Sequence, residues 1–287
     1  MILYGKPVAD KIAEDCAPAV SSLIKSGTMP CLAILRVGAR EDDLAYERGI
    51  KKRFESAGAS VTVHELNDDV TQAELEKELT ELNNDSTVHG ILVFRPLPKH
   101  LSEEPLKSFI AADKDVDCMG FAAMARLYSG TEDAVPPCTP AAVMKILSYY
   151  GIPLSGKRVA VVGRSLVIGK PLAMLMLSEN ATVTICHTRT ADLKRECKNA
   201  DIIAVCAGKA HMLTAEYVNP GQTVIDVGIN ELDGSITGDV LYSEVEPIVE
   251  NITPVPRGVG AVTSAVILSN TVSCAVKLDA AVSLMVK

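Results

Sequence analysis

The fold is decided by the stretch Val159-Ala160-Val161-Val162-Gly163-Arg164-Ser165-Leu166-Val167-Ile168-Gly169-Lys170-Pro171. An apolar strand runs into glycine, and a helix begins near Gly169, with Pro171 suited to its first turn. Glycine permits a tight turn and a close approach of the backbone to a pyrophosphate, whose charge the helix N-terminus binds. The stretch therefore predicts a dinucleotide-binding loop. Its spacing is not G-x-G-x-x-G, and the alternative is that two glycines merely punctuate a strand-to-helix turn.

The end of the next strand, Cys186-His187-Thr188-Arg189-Thr190, distinguishes between the nicotinamide cofactors. An NAD-binding domain of this design usually has Asp or Glu about 20 residues beyond the glycine loop, to bind the ribose hydroxyls. This stretch has no acidic residue. Arg164 and Arg189 are available instead, and guanidinium groups bind phosphate oxygens in a bidentate manner. We therefore predict NADP in preference to NAD. The alternative is that Arg189 is only a solvated loop charge.

Short apolar strands alternate with amphipathic helices along the whole chain, which is typical of an α/β fold with parallel sheets. The expected strands are Cys31–Val37, Ser60–Leu66, Gly90–Phe94, Arg158–Val162, Thr182–Cys186, Asp201–Cys206 and Thr223–Val227. The expected helices are Val8–Ile24 with a kink or break at Pro18, Asp43–Ser56, Thr71–Asn83 and Thr263–Val286.

A proline-rich stretch, Val135-Pro136-Pro137-Cys138-Thr139-Pro140, interrupts this alternation and predicts a hinge between domains. We expect two α/β domains around a cleft. The first comprises residues 1–140 and binds the substrate, and a C-terminal helix at 271–287 completes it. The second comprises residues 141–270 and contains a Rossmann-type parallel sheet that binds the cofactor.

The composition excludes several classes of protein. The chain has 287 residues, and no apolar run approaches the roughly 20 residues of a membrane span. A net charge of −8 argues against binding to nucleic acid. The eight cysteines form no C-x-x-C pair and the five histidines lack ligand spacing. These features predict a cytoplasmic protein with reduced thiols and no metal site.

Further motifs follow one another along almost the whole chain. They are Lys114-Asp115-Val116-Asp117, Pro137-Cys138-Thr139-Pro140, Val162-Gly163-Arg164-Ser165 with Gly169-Lys170-Pro171, Val224-Ile225-Asp226-Val227-Gly228-Ile229-Asn230, Thr253-Pro254-Val255-Pro256, Gly258-Val259-Gly260, Thr263 and Asn270-Thr271. In this order they resemble the methylenetetrahydrofolate dehydrogenase/cyclohydrolase family. The resemblance implies a homodimer and a folate site in the cleft between the domains. It also implies that the C-terminal helix returns to the first domain.

The resemblance also assigns site residues. Tyr46 would lie against the folate rings and Asp117 would bind the polar edge of the pterin, as the catalytic and substrate-binding pair. An aromatic face suits a flat ligand, and a carboxylate accepts hydrogen bonds from the pterin amino group. The alternatives are that Tyr46 is a core aromatic and that Asp117 caps a turn. The loop residues expected to close on the substrate are Pro256, Gly258, Val259 and Gly260. The residues expected to contact the cofactor are Gly163, Arg164, Ser165, Gly169, Thr188, Arg189, Ile229 and Thr263.

Two positions of the first domain depart from the family's pattern. Ile50 stands where the family has the lysine of a Tyr-x-x-x-Lys motif, which is associated with cyclohydrolase chemistry. Phe94 stands where the family has the glutamine beside that lysine. Neither replacement can relay a proton. Another residue, Arg95 for example, is the open alternative.

Basic residues near Ile50 do not restore the missing lysine. Lys51 and Lys52 point away from the face of Tyr46, because each helical residue rotates by about 100°. Arg53 returns near that face, but arginine is a poor general base. In the second domain, Arg257 replaces a glycine of the family, and Ala261-Val262 replaces Pro-Met.

The two half-reactions make different demands on the protein. Hydride transfer from 5,10-methylenetetrahydrofolate to NADP requires proximity and orientation, with no obligatory side-chain base. Hydrolysis of the methenyl product requires an activated water and a positioned acid–base group. We therefore predict an NADP-dependent methylenetetrahydrofolate dehydrogenase that has lost the cyclohydrolase. The alternatives are the bifunctional enzyme and a catalytically silent folate-binding regulator.

Overall fold

The computed structural model describes residues 1–285 of the chain. The predicted ends of the last helix at Val286 and of the first domain at residue 287 lie outside the described residues. The helices are α1 (Gly5–Lys25), α2 (Glu41–Ala57), α3 (Gln72–Asn84), α4 (Glu103–Phe109), α5 (Phe121–Ser129), α6 (Cys138–Tyr149), α7 (Gly169–Ser178), α8 (Leu193–Lys198), α9 (Tyr242–Val245) and α10 (Thr263–Met285). The strands are β1 (Cys31–Val37), β2 (Ser60–Leu66), β3 (Gly90–Val93), β4 (Arg158–Val162), β5 (Thr182–Cys186), β6 (Ile202–Val205), β7 (Thr223–Asp226), β8 (Asn230–Leu232), β9 (Ser235–Thr237) and β10 (Asn251–Ile252).

The described chain forms two compact units. The first unit comprises Lys11–Pro136 and the chain from Ser264 onward, and the second comprises Met1–Asp10 and Pro137–Thr263. One boundary between the two units lies inside the proline-rich stretch, between Pro136 and Pro137. The N-terminal residues, which the sequence placed in the first domain, belong to the second unit because they extend the edge of its sheet. The Leu3 N–H donates to the Ile252 carbonyl (2.8 Å), and the Ile252 N–H donates to the Met1 carbonyl (3.0 Å).

The first unit contains a parallel sheet in the order β2-β1-β3. The central strand β1 is buried along its whole length, as expected of a parallel strand covered on both faces. Helix α3 begins with a capping box, in which Thr71 and Glu74 satisfy each other's backbone N–H groups. Beyond β3, the Ile91 N–H donates to the Lys114 carbonyl (2.6 Å), so the chain at Asp115 runs beside the sheet.

The second unit contains a parallel sheet in the order β10-β7-β6-β4-β5. The first strand along the chain, β4, lies between β5 and β6, so the connections diverge from this point. Sheets of this kind bind ligands at such a switch point, outside the carboxyl ends of the strands. The predicted α/β fold with two domains, of which the second has a Rossmann-type parallel sheet, is confirmed.

Helix α1 continues without a break through Pro18, where the sequence predicted a kink or a break. Proline removes one backbone hydrogen bond. The side chains of Ile12, Cys16, Val20 and Leu23 are buried along one face, and packing of such a face supplies most of the stability of a protein helix. Burial of this face therefore outweighs the lost hydrogen bond.

Within residues 1–285, no helix is long and apolar enough to cross a membrane, and no three His, Cys, Asp or Glu side chains are grouped to hold a metal ion. The eight cysteines are free thiols. All of them are buried except Cys206, which is partly buried. Burial raises the pKa of Cys197 and Cys206 to about 12, so both remain protonated at neutral pH.

Candidate functional site

The glycine loop of the second unit connects β4 to α7 at the switch point. Gly163 has a φ of +141°, and a Cβ atom on it would lie 2.4 Å from the carbonyl oxygen of Cys206, which follows β6. A Cβ atom on Gly169 would lie 2.2 Å from the carbonyl oxygen of Gly163. Both positions therefore require glycine, and the loop folds closely onto itself and onto the neighbouring strand.

Ser165 fixes the beginning of α7 beside this loop. Its Oγ accepts hydrogen bonds from the N–H groups of Ile168 (3.0 Å) and Gly169 (3.5 Å), and its carbonyl accepts one from Lys170 (3.0 Å). The N-terminus of a helix carries partial positive charge. A loop with glycine at both ends, at the positive end of α7, therefore fits the pyrophosphate of a dinucleotide.

Arg164, Thr188 and Arg189 lie beyond the carboxyl ends of the neighbouring strands β4 and β5. Arg164 follows Gly163, and the other two follow β5, the neighbour of β4. The Gly163 N–H donates to the Cys186 carbonyl at the end of β5 (2.9 Å), which holds the two loops together. All three side chains are exposed. The structure thus presents two guanidinium groups to solvent at the edge where the sequence predicted a phosphate.

Ile229, Gly260 and Thr263 form a second cluster in this unit. A Cβ atom on Gly260 would lie 3.5 Å from Cδ1 of Ile229, and the Thr263 hydroxyl donates to the Gly260 carbonyl (3.2 Å). Ile229 is 67% exposed, whereas Thr263 is buried. The structure therefore brings a predicted cofactor residue and a predicted substrate residue next to each other.

The preceding loop packs against the start of the chain. The Gly5 N–H donates to the Arg257 carbonyl (2.8 Å), and a Cβ atom on Gly5 would lie 2.1 Å from the Gly258 carbonyl oxygen. Val259 is buried, so its side chain packs inside the unit, whereas Pro256 is exposed. Arg257 has a φ of +82°. That conformation favours glycine, the residue that the resemblance led us to expect here.

In the first unit, Tyr46 and Phe94 form an aromatic pair beside the end of β3. Their ring centroids are 5.6 Å apart with an interplanar angle of 32°. Tyr46 is 38% exposed, whereas Phe94 is buried and Ile50, one turn of α2 after Tyr46, is completely buried. Phe94, predicted to stand at the family's glutamine position, therefore packs on Tyr46, and Ile50, predicted to stand at the lysine position, is enclosed within the unit.

Asp117 lies against Arg95. An Nη of Arg95 is 2.6 Å from Oδ2 of Asp117, and both side chains are about one-fifth exposed. The Asp117 N–H donates to Oδ1 of Asp115 (3.2 Å). Asp117, the residue predicted to bind the pterin, is therefore an ion-paired carboxylate. Its partner Arg95 is the residue considered above as an alternative group for activating water.

Two neighbours of Asp117 have structural roles that the sequence analysis did not assign. Asp115 is completely buried and accepts hydrogen bonds from the N–H groups of Met119 (3.1 Å) and Gly120 (2.7 Å). Burial raises its pKa. The Lys114 ammonium donates to three carbonyl oxygens at the end of α3, and burial lowers its pKa. The alternation of charges in the Lys114–Asp117 motif was the available signal.

An ion-pair network centred on the buried pair Arg36–Glu47 holds α2 against β1 and β2, and no local sequence pattern predicts it. Nε of Arg36 is 2.8 Å from Oε2 of Glu47, and an Nη of Arg36 is 2.8 Å from Oε2 of Glu65. Lys51 approaches the other oxygen of Glu47 (2.6 Å). Because Glu47 adjoins Tyr46 in sequence, this network fixes the position of the aromatic pair. The ammonium of Lys51 is paired within this network.

A glycine loop at the switch point of a parallel sheet, joined in one chain to a second parallel α/β unit, is typical of two-domain enzymes that bind a dinucleotide. Residues 137–279 match the tetrahydrofolate dehydrogenase/cyclohydrolase NAD(P)-binding domain, and residues 3–117 match the catalytic domain of the same family. The chain belongs to the tetrahydrofolate dehydrogenase/cyclohydrolase family. The predicted family, and the prediction of an oxidoreductase that uses a nicotinamide cofactor, are confirmed.

Individual relatives match almost the whole chain. The bifunctional protein FolD of Carboxydothermus hydrogenoformans is 51% identical over 273 residues, which cover 94% of this chain and 95% of that protein. The crystal structure of the bifunctional enzyme FolD, a methylenetetrahydrofolate dehydrogenase/cyclohydrolase from Campylobacter jejuni, matches with a TM-score of 0.94 and 40% identity, covering 96% and 99% of the two chains. The Trypanosoma brucei methylenetetrahydrofolate dehydrogenase-cyclohydrolase, solved with NADP cofactor and an inhibitor, matches with a TM-score of 0.90 and 33% identity, covering 96% and 97%.

Proposed function

We propose that this chain oxidises 5,10-methylenetetrahydrofolate to 5,10-methenyltetrahydrofolate, with NADP as the hydride acceptor. The observation that carries the proposal is the Gly163–Gly169 loop, whose two glycines cannot bear side chains and which lies within the match to the NAD(P)-binding domain. When bound, NADP supplies the ring carbon that receives the hydride. The chain's own contribution is to bind and orient the two reactants, since this transfer requires no side-chain base.

The proposed division of labour follows the two predicted domains. Residues 1–140 with 271–287 bind the folate, and residues 141–270 bind the cofactor. Tyr46 packs against the folate rings and Asp117 accepts hydrogen bonds from the pterin, with the loop residues Pro256, Gly258, Val259 and Gly260 closing on the substrate. The cofactor contacts are Gly163, Arg164, Ser165, Gly169, Thr188, Arg189, Ile229 and Thr263. We also propose a homodimer that works in the cytoplasm.

The preference for NADP rests on the exposed guanidinium groups of Arg164 and Arg189 at the carboxyl ends of β4 and β5. Guanidinium groups match the geometry of a phosphate monoester. The Trypanosoma brucei relative that was solved with NADP supports the same choice. The test is oxidation of methylenetetrahydrofolate with each cofactor, followed by the absorbance of the methenyl product. No reaction with either cofactor would contradict the proposed function and favour the silent regulator.

The cyclohydrolase half-reaction is the second candidate activity. Two relatives that cover almost the whole chain are named bifunctional, and these names support the bifunctional alternative better than loss of the cyclohydrolase. Loss remains a prediction that rests on Ile50 and Phe94. Both are buried and apolar, so neither can activate water, and a positioned acid–base group contributes about 10²–10⁴-fold to such a step.

The decisive measurement is the decay of methenyltetrahydrofolate with and without the protein, in a buffer that catalyses little hydrolysis. If the cyclohydrolase is lost, the unmodified protein leaves the rate at the buffer value. Ile50→Lys alone then restores little, because a buried charge without a partner is costly. Ile50→Lys with Phe94→Gln restores more than the sum of the single changes. Ile50→Met, which introduces no proton carrier, is the matched control. Rapid hydrolysis by the unmodified protein would establish the bifunctional enzyme.

A further inference from the structure

A turn of the second unit, Ala207–Lys209, has the form of an anion-binding site. It follows β6 and includes Gly208, whose φ is +64°. Three consecutive N–H groups of this turn point inward, toward one carboxylate. Consecutive N–H groups in such a turn form a concave nest that binds anions.

The anion in this nest is the protein's own Asp239. Its Oδ2 accepts the N–H groups of Ala207 (2.6 Å) and Gly208 (2.9 Å), and its Oδ1 accepts the N–H of Lys209 (2.9 Å) and the side-chain amide of Asn230 (2.9 Å). Asp239 is completely buried. All four donors are groups of the protein, so both oxygens of this buried carboxylate are hydrogen-bonded by the protein itself.

A second carboxylate holds Asp239 in place. Asp226, at the end of β7, accepts the N–H of Asp239 on Oδ1 (3.0 Å) and the N–H of Val240 on Oδ2 (3.0 Å). Its Oδ1 also accepts the N–H of Gly228 (3.0 Å). A Cβ atom on Gly228 would lie 2.3 Å from Cγ of Asp239. The loops after β6 and β7 are therefore fastened to one another through two buried carboxylates.

The nest adjoins the glycine loop. Cys206, directly before the nest, donates its N–H to the Val162 carbonyl (2.8 Å), and its carbonyl oxygen occupies the space that a side chain on Gly163 would need. Two N–H-rich turns thus lie side by side at the switch point of the sheet. One is filled by a carboxylate, and the other, which leads into α7, contains the exposed residues Arg164 and Ser165.

We propose that Asp239 is a positioning residue for the dinucleotide, an inference that rests on the proposed function. A carboxylate in the Ala207–Lys209 nest repels the phosphates of the cofactor from the end of β6. It also holds the Cys206 carbonyl against Gly163, so the phosphates bind at the Gly163–Gly169 loop. Asp239 touches neither cofactor nor substrate in this assignment. Its effect on cofactor binding is exerted through the turn that it fills.

The test is direct binding of NADPH, followed by its own fluorescence, which is convenient because the chain contains no tryptophan. Asp239→Ala empties the nest, and we expect the Kd for NADPH to rise about tenfold or more, as is typical for lost hydrogen bonds to a charged group. Formate, a carboxylate small enough to enter the vacated nest, should lower that Kd again. The KM for NADP should rise in parallel while kcat changes less.

Two further variants keep the test interpretable. Asp239→Asn preserves the volume but turns an amide donor toward the N–H groups, so it should weaken NADPH binding without rescue by formate. Asp201→Ala is the matched control: Asp201 also binds a backbone N–H, that of Arg158 (2.8 Å), but at the amino end of the strands. It should lower stability and leave the Kd for NADPH unchanged.

The possible outcomes separate this inference from the proposed function. Unchanged NADPH binding by folded Asp239→Ala or Asp239→Asn protein would overturn the positioning role and leave the dehydrogenase proposal intact. Weakened binding that formate does not improve in Asp239→Ala would overturn the nest as its cause. Weakened binding rescued by formate, in a protein that does not oxidise methylenetetrahydrofolate, would support the positioning role and contradict the proposed function.

Discussion

The two units share one arrangement of parallel strands but have different polar groups near the point where the connections diverge. Each sheet has its earliest strand between two later ones, β1 between β2 and β3 and β4 between β5 and β6, so each has a switch point. In the first unit the polar groups near it are side-chain ion pairs, those of Arg36 and of Arg95. In the second unit they are backbone N–H groups, closed by glycines and by the buried carboxylates of Asp226 and Asp239.

This difference determines how each site tolerates substitution. A side-chain ion pair is lost when one partner is replaced, and its effect stays near the pair. A backbone site is lost when a side chain is added, because the carbonyl that the new atom meets cannot move without the strand that carries it. The second site should therefore be the more sensitive of the two, and four measurements test that expectation.

The largest effect is expected for Gly163→Ala. The new Cβ atom would lie 2.4 Å from the Cys206 carbonyl, and the φ of +141° is unfavourable for alanine. NADPH affinity should fall about 100-fold or more, corresponding to roughly 3 kcal/mol, the upper range of strain at one backbone position. Gly156→Ala is the matched control, since Gly156 has a φ of +74° but no atom within 4 Å of its Cβ position. Equal effects of the two substitutions would show that the close contact is unimportant.

Next comes Asp117→Asn in the first unit. Charge-assisted hydrogen bonds to the pterin contribute about 1.5–3 kcal/mol each, so folate affinity should fall at least about tenfold while NADPH affinity is unchanged. The comparison is made by calorimetry with a tetrahydrofolate derivative. Arg95→Leu is the companion variant, because it breaks the 2.6 Å ion pair but leaves the carboxylate. Normal folate affinity in folded Asp117→Asn protein would mean that Asp117 serves only to pair with Arg95.

A third effect concerns the pH dependence of stability. Burial opposes ionisation of Glu47, but hydrogen bonds from Lys51 and Arg36 outweigh it and hold its pKa below 4.5. Stabilisation by this carboxylate is therefore present above pH 4.5 and is lost as the pH falls through the lower value. Glu47→Gln should cost about 1.5–3 kcal/mol at pH 7, and the difference from the unmodified protein should shrink on acidification.

Urea unfolding from pH 7 to pH 3 measures this difference. Lys11 and Asp15 form an exposed ion pair, so Asp15→Asn is the control and should change stability little at any pH. A Glu47→Gln deficit that stays constant down to pH 3 would argue against an ionised Glu47 as its source.

The smallest effect is expected for Arg164→Ala. NADP affinity should fall about tenfold, the lower range for a charged hydrogen bond, and NAD affinity should change little. Arg158→Ala replaces an exposed arginine at the amino end of the same strand and should leave both affinities unchanged. Equal loss of NAD and NADP affinity would show that Arg164 does not select between them.

The sequence revealed the second site more fully than the first. Gly163 and Gly169 could be recognised because only glycine satisfies their backbone geometry and contacts. The roles of Lys114, Asp239 and Arg36 could not, because each depends on partners brought close by the fold. Lys114 binds carbonyls about 30 residues earlier in the chain, and Asp239 binds N–H groups about as far away. A charged residue in a loop has the same local pattern whether it is solvated or buried.

Helix boundaries show the same limit on a smaller scale. Helix α2 begins at Glu41, two residues before the predicted start, because Arg40 rather than a later residue is its N-cap. Helix α3 begins at Gln72, one residue later than predicted, because Thr71 caps it from outside. The strand Gly90–Phe94 is one residue shorter than expected, and Phe94 packs on Tyr46 instead. Apolar periodicity identifies the element, whereas its ends depend on single hydrogen bonds.

The discontinuous units have a consequence for the order in which the chain becomes structured during synthesis. Lys11–Pro136 leave the ribosome before Pro137–Thr263, but the unit to which they belong is completed by α10, which follows both. Until then, the carbonyls of Val116 and Pro136 lack the amide of Asn270, which binds them in the finished protein (2.9 and 3.2 Å). Gly90 likewise lacks its neighbour Thr271, whose hydroxyl oxygen lies 2.9 Å from the position of a Cβ atom on Gly90. The nascent first unit therefore lacks these contacts while Pro137–Thr263 are translated.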